Sequence, residues 1–308
     1  LFLSPTAMQR LYHHDGDKAS ARAAEKFGTF YSMSTMGTSS IEEISNVSGG
    51  SKLFQLYIHK DQSLTDNLID RCKRSGFNAM CLTVDTVVAG NRERDHRWGF
   101  TTPPKLTLKS LLSFALHPQW SINYLTHKKF ELANVSHFTK KGSSIAKGVM
   151  EYINEQYDPG MGWKDAEYCI KRWGGPFAIK GVMSVDDAKR AVEIGASAIM
   201  LSNHGGRQLD GSRAPFDQLP AIADAVGGKA EIIVDGGIRR GTHVLKALSL
   251  GATACSFGKG YLFGLGAGGQ KGVEAVLQKM HDEIRRDMIL LGCKSIKDLN
   301  KSNIVFRS

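Results

Sequence analysis

The chain has 308 residues, of which 42% are hydrophobic and 23% are charged, so it can bury a sizeable core and falls in the size range of a single large α/β barrel. Its longest strongly apolar stretches, such as Leu111 to Leu116, fall far short of the roughly 20 residues of a membrane-spanning helix, and its first residues lack the basic start and cleavage site of a secretory signal. The formal net charge of +10 is compatible with a phosphate cofactor, an acidic substrate, nucleic acid or a membrane surface, and does not choose among them.

Short β-type runs alternate with amphipathic helical stretches along the chain, which is typical of parallel strands joined by helices. Eight strands are predicted, near Phe2 to Thr6, Phe30 to Ser34, Leu53 to Tyr57, Ala79 to Val84, Phe177 to Lys180, Ala198 to Ser202, Ile232 to Val234 and Ala254 to Phe257. A helix is predicted after each strand, for instance Ser184 to Ile194, which has Asp186 and Asp187 in its first turn. Eight such units predict an α/β fold, a closed TIM (β/α)8 barrel, as one domain over residues 1–308.

The stretch from Thr86 to Met161, after the fourth strand, is too long for an ordinary connection between a strand and a helix. It is predicted to be an insertion that acts as an active-site lid or docks a partner. Between Lys105 and Lys147 it combines basic with apolar side chains, and Glu131 is its only acid. The side chains concerned are Lys109, Lys128, Lys129, Lys140 and Lys141, with Leu111, Leu112, Phe114, Leu116, Trp120, Tyr124 and Phe130. This composition suits a segment that lies on an anionic membrane surface, and from composition alone a solvated lid is an equal alternative.

The five cysteines, Cys72, Cys81, Cys169, Cys255 and Cys293, form no CxxC pair, and two of them, Cys81 and Cys255, lie in apolar runs that predict buried thiols. This usage indicates a reducing cytoplasm. Residues 264–269 fit the pattern GxGxxG but lie several residues beyond the strand, so no dinucleotide site is predicted there. The histidines and aspartates of residues 13–17 lack the further ligand spacing of a metal site, so a solvated loop is predicted and no metal.

Polar side chains end or follow most of the predicted strands. In a barrel the chemistry lies at the C-terminal ends of the strands, whereas polar groups inside strands destabilise the core unless they are satisfied. The residues at these ends are Ser34, Gln55, Tyr57, Thr83, Asp85, Lys180, Ser202, His204, Asp235 and Arg239. Because the ends meet at one rim, the sequence predicts a single functional site there.

Two glycine-rich turns with cations follow the seventh and eighth strands, at residues 234–241 and at Gly258-Lys259-Gly260. Backbone N–H groups exposed by glycine, together with a nearby cation, are how barrels hold a phosphate. The turns therefore predict a phosphate site, the alternative being two glycine turns with solvated arginines.

Several of these stretches together resemble the FMN-dependent α-hydroxy-acid dehydrogenase and oxidase family, and the resemblance covers nearly the whole chain. They are Ser-Asn-His-Gly-Gly-Arg-Gln-Leu-Asp-Gly (202–211), Ile179-Lys180-Gly181, Gln55-Leu56-Tyr57, Leu82-Thr83-Val84-Asp85 and Asp235-Gly236-Gly237-Ile238-Arg239-Arg240-Gly241. Three further stretches look most like bacterial L-lactate and mandelate dehydrogenases rather than peroxisomal glycolate oxidases. They are Leu116 to Ser121, Leu132 to Asn134 and Arg92 to Asp95.

The resemblance implies that the chain uses FMN to oxidise an L-2-hydroxy acid, with L-lactate favoured, to the 2-keto acid and passes the electrons to quinone or another carrier. The alternatives are an oxidase that uses oxygen and a barrel that binds phosphate or flavin without catalysis. Membrane association through residues 105–147, peripheral on the inner face of the cell membrane, and a homo-oligomer, a tetramer, are also implied. Nucleic acid is not expected as a partner, because no recognised binding motif accompanies the charge.

Position by position, the resemblance implies that His204 takes the proton released by substrate oxidation and that Asp85 holds and stabilises the imidazolium. A neighbouring carboxylate raises the proton affinity of an imidazole, which suits a base that works near neutral pH. The same base serves whether the substrate hydrogen leaves as a hydride or the carbon is deprotonated first.

Arg92 and Arg207 look like the clamps of the substrate carboxylate, since a guanidinium can donate two parallel hydrogen bonds, and Tyr57 would orient the substrate. By similarity, Lys180 lies beside the N1/O2 edge of the flavin, where a fixed cation stabilises the negative charge acquired on reduction. The flavin contacts implied are Pro5, Thr6, Ala7, Ser34, Gln55, Thr83, Lys180, Ser202, Asp235, Gly236, Gly237, Arg239, Gly258 and Lys259.

Two departures from the family's pattern bear on these expectations. The family usually has arginine where Lys259 stands, and a single point charge in place of a bidentate fork predicts weaker FMN binding. Family members also carry an N-terminal segment of helices before the first barrel strand, including a tyrosine that contacts the substrate carboxylate, and the printed chain begins at that strand. The resemblance therefore predicts an incomplete carboxylate clamp, or a chain that is a fragment.

Overall fold

Eight parallel strands close into a barrel in chain order in the computed structural model of the protein, which describes residues 1–93, 97, 107–128, 130–136 and 158–306. The strands are β1 (Phe2–Leu3), β2 (Tyr31–Ser34), β3 (Lys52–Leu56), β4 (Ala79–Thr83), β5 (Phe177–Val182), β6 (Ala198–Leu201), β7 (Glu231–Asp235) and β8 (Ala254–Phe257). The barrel closes where Leu3 of β1 pairs with Phe257 of β8. The predicted fold and the number of strands are confirmed. The prediction for β1 was three residues too long, because Pro5 has no N–H to donate to a neighbouring strand.

Helices follow the strands, and those outside the insertion cover the barrel. They are α1 (Gly16–Lys26), α2 (Ile41–Val47), α3 (Gln62–Arg74), α4 (Leu108–Ala115), α5 (Pro118–Thr126), α6 (Trp163–Trp173), α7 (Val185–Glu193), α8 (Pro215–Val226), α9 (Gly241–Ser249) and α10 (Lys259–Leu290). The predicted helix near Ser184 to Ile194 is α7, and the hydroxyl of Ser184 caps it by accepting a hydrogen bond from the backbone N–H of Asp187. Residues 264–269 lie inside α10, which is kinked at Gly268 and Gly269, rather than in a loop at a strand tip.

The interior of the barrel is built in layers. A buried apolar layer lies inside it, made of Phe2, Leu53, Cys81, Ala178, Met200 and Ile233. Side chains alternate between the two faces of a strand, so the residue two positions further on points to the same side. Two positions on from these six are Ser4, Gln55, Thr83, Lys180, Ser202 and Asp235, which are all buried. With Ser34 of β2 and Ser256 of β8 they make a polar layer of eight residues, one from each strand or its end, above the apolar one.

The apolar core between the barrel and its helices is larger and includes the strand residues of opposite parity, such as Leu3, Phe54, Leu82 and Ile179. Burial of this surface is what stabilises the closed barrel. Both thiols predicted to be buried, Cys81 and Cys255, are completely inaccessible to solvent, and all five cysteines are free.

The described part of the insertion carries two helices with large apolar side chains exposed to solvent. In α4 and α5, Leu108 and Leu125 are 87% and 80% exposed. The rings of Phe114, Trp120 and Tyr124 stack in series, and Trp120 Nε1 donates to the carbonyl oxygen of Leu11, 2.9 Å away, so the pair of helices is attached to the barrel. Some residues of the sequence-based predictions lie outside the described residues, namely Lys105, Lys129, Lys140, Lys141 and Lys147, together with Arg94 and Asp95 of the family resemblance. Within the described ranges, no helix combines the length and the apolar character that crossing a membrane requires.

Candidate active site

A carboxylate and an ammonium group lie in contact within the polar layer. Lys180 Nζ is 2.8 Å from Asp235 Oδ2 and donates to Ser202 Oγ at 2.9 Å, and Ser202 Oγ donates to the same carboxylate oxygen at 2.8 Å. The other oxygen, Oδ1, accepts hydrogen bonds of 2.6 Å from the hydroxyls of Ser4 and Ser256. Both carboxylate oxygens therefore carry two close polar contacts, as a buried charge requires.

Burial and pairing act in opposite directions on these two groups. Burial by itself would raise the pKa of Asp235, but the adjacent Lys180 charge and the serine hydroxyls outweigh it, so that pKa lies below its ordinary range. Burial would likewise lower the pKa of Lys180, but the charges of Asp235 and Asp85 leave it raised. The two groups are thus an ion pair at neutral pH.

A second pair lies above the first, at the rim. His204 Nδ1 is 3.1 Å from Asp85 Oδ1, and Thr86 Oγ1 donates to the same oxygen at 2.9 Å. Burial would raise the pKa of Asp85, but the hydrogen bond with His204 and the charge of Lys180 outweigh it and the pKa is lowered. A charged carboxylate therefore faces one ring nitrogen of His204, and this imidazole is still a quarter exposed at the mouth of the barrel.

Local backbone geometry brings this pair together. His204 has a φ of 57°, a left-handed conformation that is uncommon outside glycine, and its N–H donates to Ser202 Oγ at 3.1 Å. On the opposite side Gly181 has a φ of 107°, and a Cβ built there would lie 2.8 Å from Asp85 Cβ. Only glycine lets Asp85 approach β5 so closely.

Gln208 links the loop of His204 to the segment that follows β4. Its Nε2 donates to the carbonyl oxygens of Asp85 and Val88, each at 3.1 Å, and its Oε1 accepts from Arg92 Nη2 at 3.2 Å. Arg92 and Arg207, the predicted carboxylate clamps, thus lie on two connected segments at the rim, Arg92 half-buried and Arg207 exposed.

Tyr57 packs against Met36 and against Leu132 and Val135, which belong to the end of the insertion. Residues 130–136 therefore reach the same rim as the predicted substrate-orienting tyrosine. This described end of the insertion lies next to Tyr57, and the role of the insertion as a lid stays a prediction.

Two polar atoms of the polar layer lack hydrogen-bond partners among the described residues. They are Nε2 of Gln55 and Oγ1 of Thr83, both buried, while Gln55 Oε1 accepts from Ser34 Oγ at 3.0 Å. Buried polar atoms without a partner destabilise a fold by about 1–3 kcal/mol each. A bound group with hydrogen-bonding edges, such as a flavin ring, would satisfy both, so these residues fit FMN.

The predicted phosphate-binding residues lie at the ends of β7 and β8. Gly236 and Gly237 both have positive φ, Arg239 is exposed, and Lys259 is exposed at the start of α10. A Cβ built on Gly205 would lie 3.9 Å from Lys259 Nζ, so this lysine reaches the loop of His204. The helix N-terminus and the cation suit an anion.

On the β1 side, Pro5 and Thr6 are half-buried and Ala7 is exposed. The hydroxyl of Thr6 pairs with that of Tyr261, and Gly258 is close enough that a Cβ built on it would lie 3.2 Å from Thr6 Cγ2. The ends of β1 and β8 thus form one continuous edge of the site.

Four residues of the site were missed by the sequence analysis: Ser4, Ser256, Thr86 and Gln208. For the two serines a signal existed, because the alternation of strand residues assigns them to the same layer as Asp235. For Thr86 and Gln208 the sequence carries no signal beyond their position next to Asp85 and near His204.

Comparisons with known proteins agree with this geometry. The family described as FMN-dependent dehydrogenase matches residues 1–306. The chain is 43% identical over 308 residues to the L-lactate oxidase of Nostoc sp., covering 98% of this chain and 78% of that protein. It is 39% identical over 304 residues to the glycolate oxidase of Spinacia oleracea, covering 99% of this chain and 76% of that protein. Among solved structures, that of the monotopic membrane protein (S)-mandelate dehydrogenase matches with a TM-score of 0.93 and 33% identity, covering 98% of this chain and 79% of that one.

Proposed function

Because the chain belongs to the FMN-dependent dehydrogenase family, whose cofactor is FMN, we propose that it oxidises an L-2-hydroxy acid, with L-lactate favoured, to the 2-keto acid. The observation that carries the proposal is the contact between His204 and Asp85 above the buried pair of Lys180 and Asp235. A base with its own counter-charge, beside a fixed cation, suits a reaction that releases a proton and moves negative charge onto a flavin. Bound FMN supplies the acceptor for the two electrons of the substrate.

His204 is the base in this proposal. Its Nδ1 faces Asp85, which leaves Nε2 for the substrate proton. Asp85 stays ionised and stabilises the imidazolium that forms, and Thr86 holds the carboxylate oxygen in place. Both possible routes, loss of the substrate hydrogen as a hydride and prior deprotonation of the carbon, need this proton acceptor.

Arg92 and Arg207 bind the substrate carboxylate, and Tyr57 orients the substrate. The bridge through Gln208 supports the assignment, because it fixes the segment of Arg92 relative to the loop that carries both His204 and Arg207. Side chains held by neighbouring hydrogen bonds lose little entropy when the substrate binds.

The flavin ring is held by Ser34, Gln55, Thr83 and Lys180, and the unpartnered atoms of Gln55 and Thr83 support this. Lys180 stabilises the negative charge of the reduced ring. The remaining residues that would hold FMN are Pro5, Thr6, Ala7, Ser202, Asp235, Gly236, Gly237, Arg239, Gly258 and Lys259.

The electron acceptor separates two candidate functions. A dehydrogenase that passes electrons to quinone is favoured by the exposed apolar side chains of α4 and α5, which suit a membrane surface, and by the likeness to a monotopic membrane dehydrogenase. An oxidase that uses oxygen is favoured by the similarity to two proteins named as oxidases. Anaerobic reduction followed by mixing with oxygen or a quinone analogue decides: fast reoxidation by oxygen and slow reoxidation by quinone would overturn the dehydrogenase.

Peripheral membrane binding on the inner face of the cell membrane is part of the proposal, together with a tetrameric assembly. Leu125→Asp should weaken co-sedimentation with anionic vesicles. The matched control is Leu290→Asp on α10, which is 78% exposed and far along the chain from the insertion, and which should bind vesicles as the unaltered protein does. Equal binding by all three proteins would remove α5 from the membrane surface.

The enzymatic proposal is tested by loading the purified protein with FMN and adding a panel of L-2-hydroxy acids. A productive substrate bleaches the flavin absorbance, and the strongest bleaching identifies the substrate. His204→Gln should keep the yellow colour and lose the bleaching, whereas retained bleaching would remove His204 from the role of base. A protein that stays colourless with added FMN would instead indicate a barrel without catalysis.

A further inference from the structure

Four polar groups surround the carboxylate of Asp235. Its Oδ1 accepts from Ser4 and Ser256 at 2.6 Å each, and its Oδ2 meets Ser202 and Lys180 at 2.8 Å each. All five residues are buried, and they come from the ends of β1, β5, β6, β7 and β8. Such a cluster fixes both the position and the charge of the carboxylate.

The surroundings of Lys180 make Asp235 its principal counter-charge. The ionisable groups that face it are Asp235 at the end of β7, Asp85 after β4 and Cys81 in β4. Burial raises the pKa of Cys81 to about 12, so this thiol is neutral near physiological pH. Asp85 is already engaged by His204 and Thr86. That leaves Asp235 as the carboxylate in direct contact with the ammonium group.

An ammonium group buried among apolar side chains readily gives up its proton, because desolvation disfavours the charged form. The apolar layer that contains Ala178 and Met200 lies directly below Lys180. Without Asp235 the lysine would keep only the more distant charge of Asp85, so it would hold its proton less firmly until another negative charge, such as that of a reduced flavin, appeared beside it. Reduction would then draw in an additional proton.

We propose that Asp235 is a positioning residue that keeps Lys180 cationic in both the oxidised and the reduced protein, and that Ser4 and Ser256 hold Asp235 in place for this task. The inference rests on the proposed function, since it concerns the FMN-loaded site. Its consequence is that the positive charge beside the flavin is permanent, so reduction takes up no proton at Lys180.

The test compares reduction equilibria of the FMN-loaded protein against a reference dye, under anaerobic conditions, from about pH 6 to about pH 10. In Lys180→Met the equilibrium constant for flavin reduction should be lower than in the unaltered protein at every pH, because the fixed cation is gone. Asp235→Asn keeps the shape of the side chain and removes its charge. The ratio of its equilibrium constant to that of the unaltered protein should be constant at low pH and then fall by a factor of about ten per pH unit, as one added proton requires, until Lys180 is neutral in both redox states.

Two results would overturn the proposal. A curve for Asp235→Asn that runs parallel to the unaltered protein means that Lys180 stays charged without Asp235. A curve that lies above the unaltered protein by the same factor at every pH means that Asp235 only weakens the field of Lys180. The titrating groups other than Asp235 and Lys180 are present in all three proteins, so their contribution cancels when each variant is divided by the unaltered protein.

Should Asp235→Asn fail to fold, Ser4→Ala and Ser256→Ala carry the test, since each removes one hydroxyl donor and leaves the carboxylate. The onset of the added proton should move to lower pH in both. The matched control is Ser32→Ala, a buried serine of β2 whose hydroxyl has no partner among the described residues. An onset that does not move in the two network variants, or that moves equally in Ser32→Ala, overturns the inference.

The dye equilibrium needs no hydroxy acid, so it separates this inference from the proposed function. If the protein binds FMN and the curves are parallel, only the proposed role of Asp235 is refuted. If the protein binds FMN and the curves are as expected, but no hydroxy acid bleaches the flavin, the role of Asp235 is supported and the proposed substrate class is refuted. A protein that binds no FMN refutes both.

Discussion

Replacement of Asp85 by asparagine isolates the charge that faces His204. Asparagine has nearly the same shape, and its side-chain oxygen can still accept the hydrogen bond from Nδ1, so the imidazole keeps its orientation. The atoms are 3.1 Å apart, and the centres of the two charges are about 4 Å apart, which corresponds to about 4 kcal/mol at an effective dielectric constant near 20. His204 and Asp85 are 25% and 13% exposed, so we expect solvent to weaken this to about 3–4 kcal/mol.

This attraction exists only when the imidazolium is present, so it lowers the barrier rather than strengthening substrate binding. At about 1.4 kcal/mol for each tenfold change, the rate of flavin reduction should fall by a factor on the order of 10² to 10³. The assay is anaerobic rapid mixing of the FMN-loaded protein with saturating L-2-hydroxy acid, followed by flavin absorbance. FMN affinity should be unchanged.

The matched control is Asp186→Asn, which neutralises an exposed carboxylate in the first turn of α7 and should leave the rate unaltered. A loss of less than about tenfold in Asp85→Asn would refute the reasoning, because a charge at this distance would then be screened almost completely. A large loss accompanied by loss of FMN would also refute it, since the carboxylate would then have a structural task.

Three further predictions concern stability, backbone geometry and cofactor affinity. Burial would raise the pKa of Glu43, but the Ser40 N–H and Lys18 lower that pKa from its ordinary value of 4.5 to about 2. Glu43 therefore contributes stability above pH 4.5 that is lost as the pH falls towards 2, and Glu43→Gln should remove about 2–3 kcal/mol of this acid-dependent loss, measured by urea unfolding at several pH values. Gly181→Ala should destabilise the fold and also reduce catalysis, because the added Cβ displaces Asp85. Its control, Gly211→Ala, has a φ of 72° and no atom within 4 Å of the added Cβ, so it should only destabilise the fold, by about 1 kcal/mol, and equal kcat values for the two variants would contradict this. Lys259→Arg should lower the Kd for FMN several-fold, as read by flavin fluorescence, because a guanidinium binds phosphate with two hydrogen bonds.

Much of the fold was readable from the sequence because β-type runs alternate with helical stretches along the chain, and most barrel strands also repeat one local pattern. An apolar residue that points into the barrel is followed two positions later by a polar one, as in Cys81 and Thr83 or Ala178 and Lys180. The single rim with His204, Asp85 and Lys180 on it was predicted from the polar residues at or after the strand ends, because the C-terminal ends of parallel strands meet. Strand ends were predicted less well, since turns and bulges such as that at Gly181 depend on neighbouring strands.

The partner of each charge was decided only by the tertiary structure. The sequence predicted that Asp85 serves His204, by family resemblance, but it assigned Asp235 to the flavin and left Lys180 without a counter-ion of its own. Closure of the barrel brings Ser4 and Asp235, 231 positions apart in the chain, to within 2.6 Å. No local sequence pattern predicts this contact, because it depends on how the eight strands close into the barrel. The sequence therefore determined the strands and which polar residues lie at their ends, and the closure of the barrel determined which charges pair.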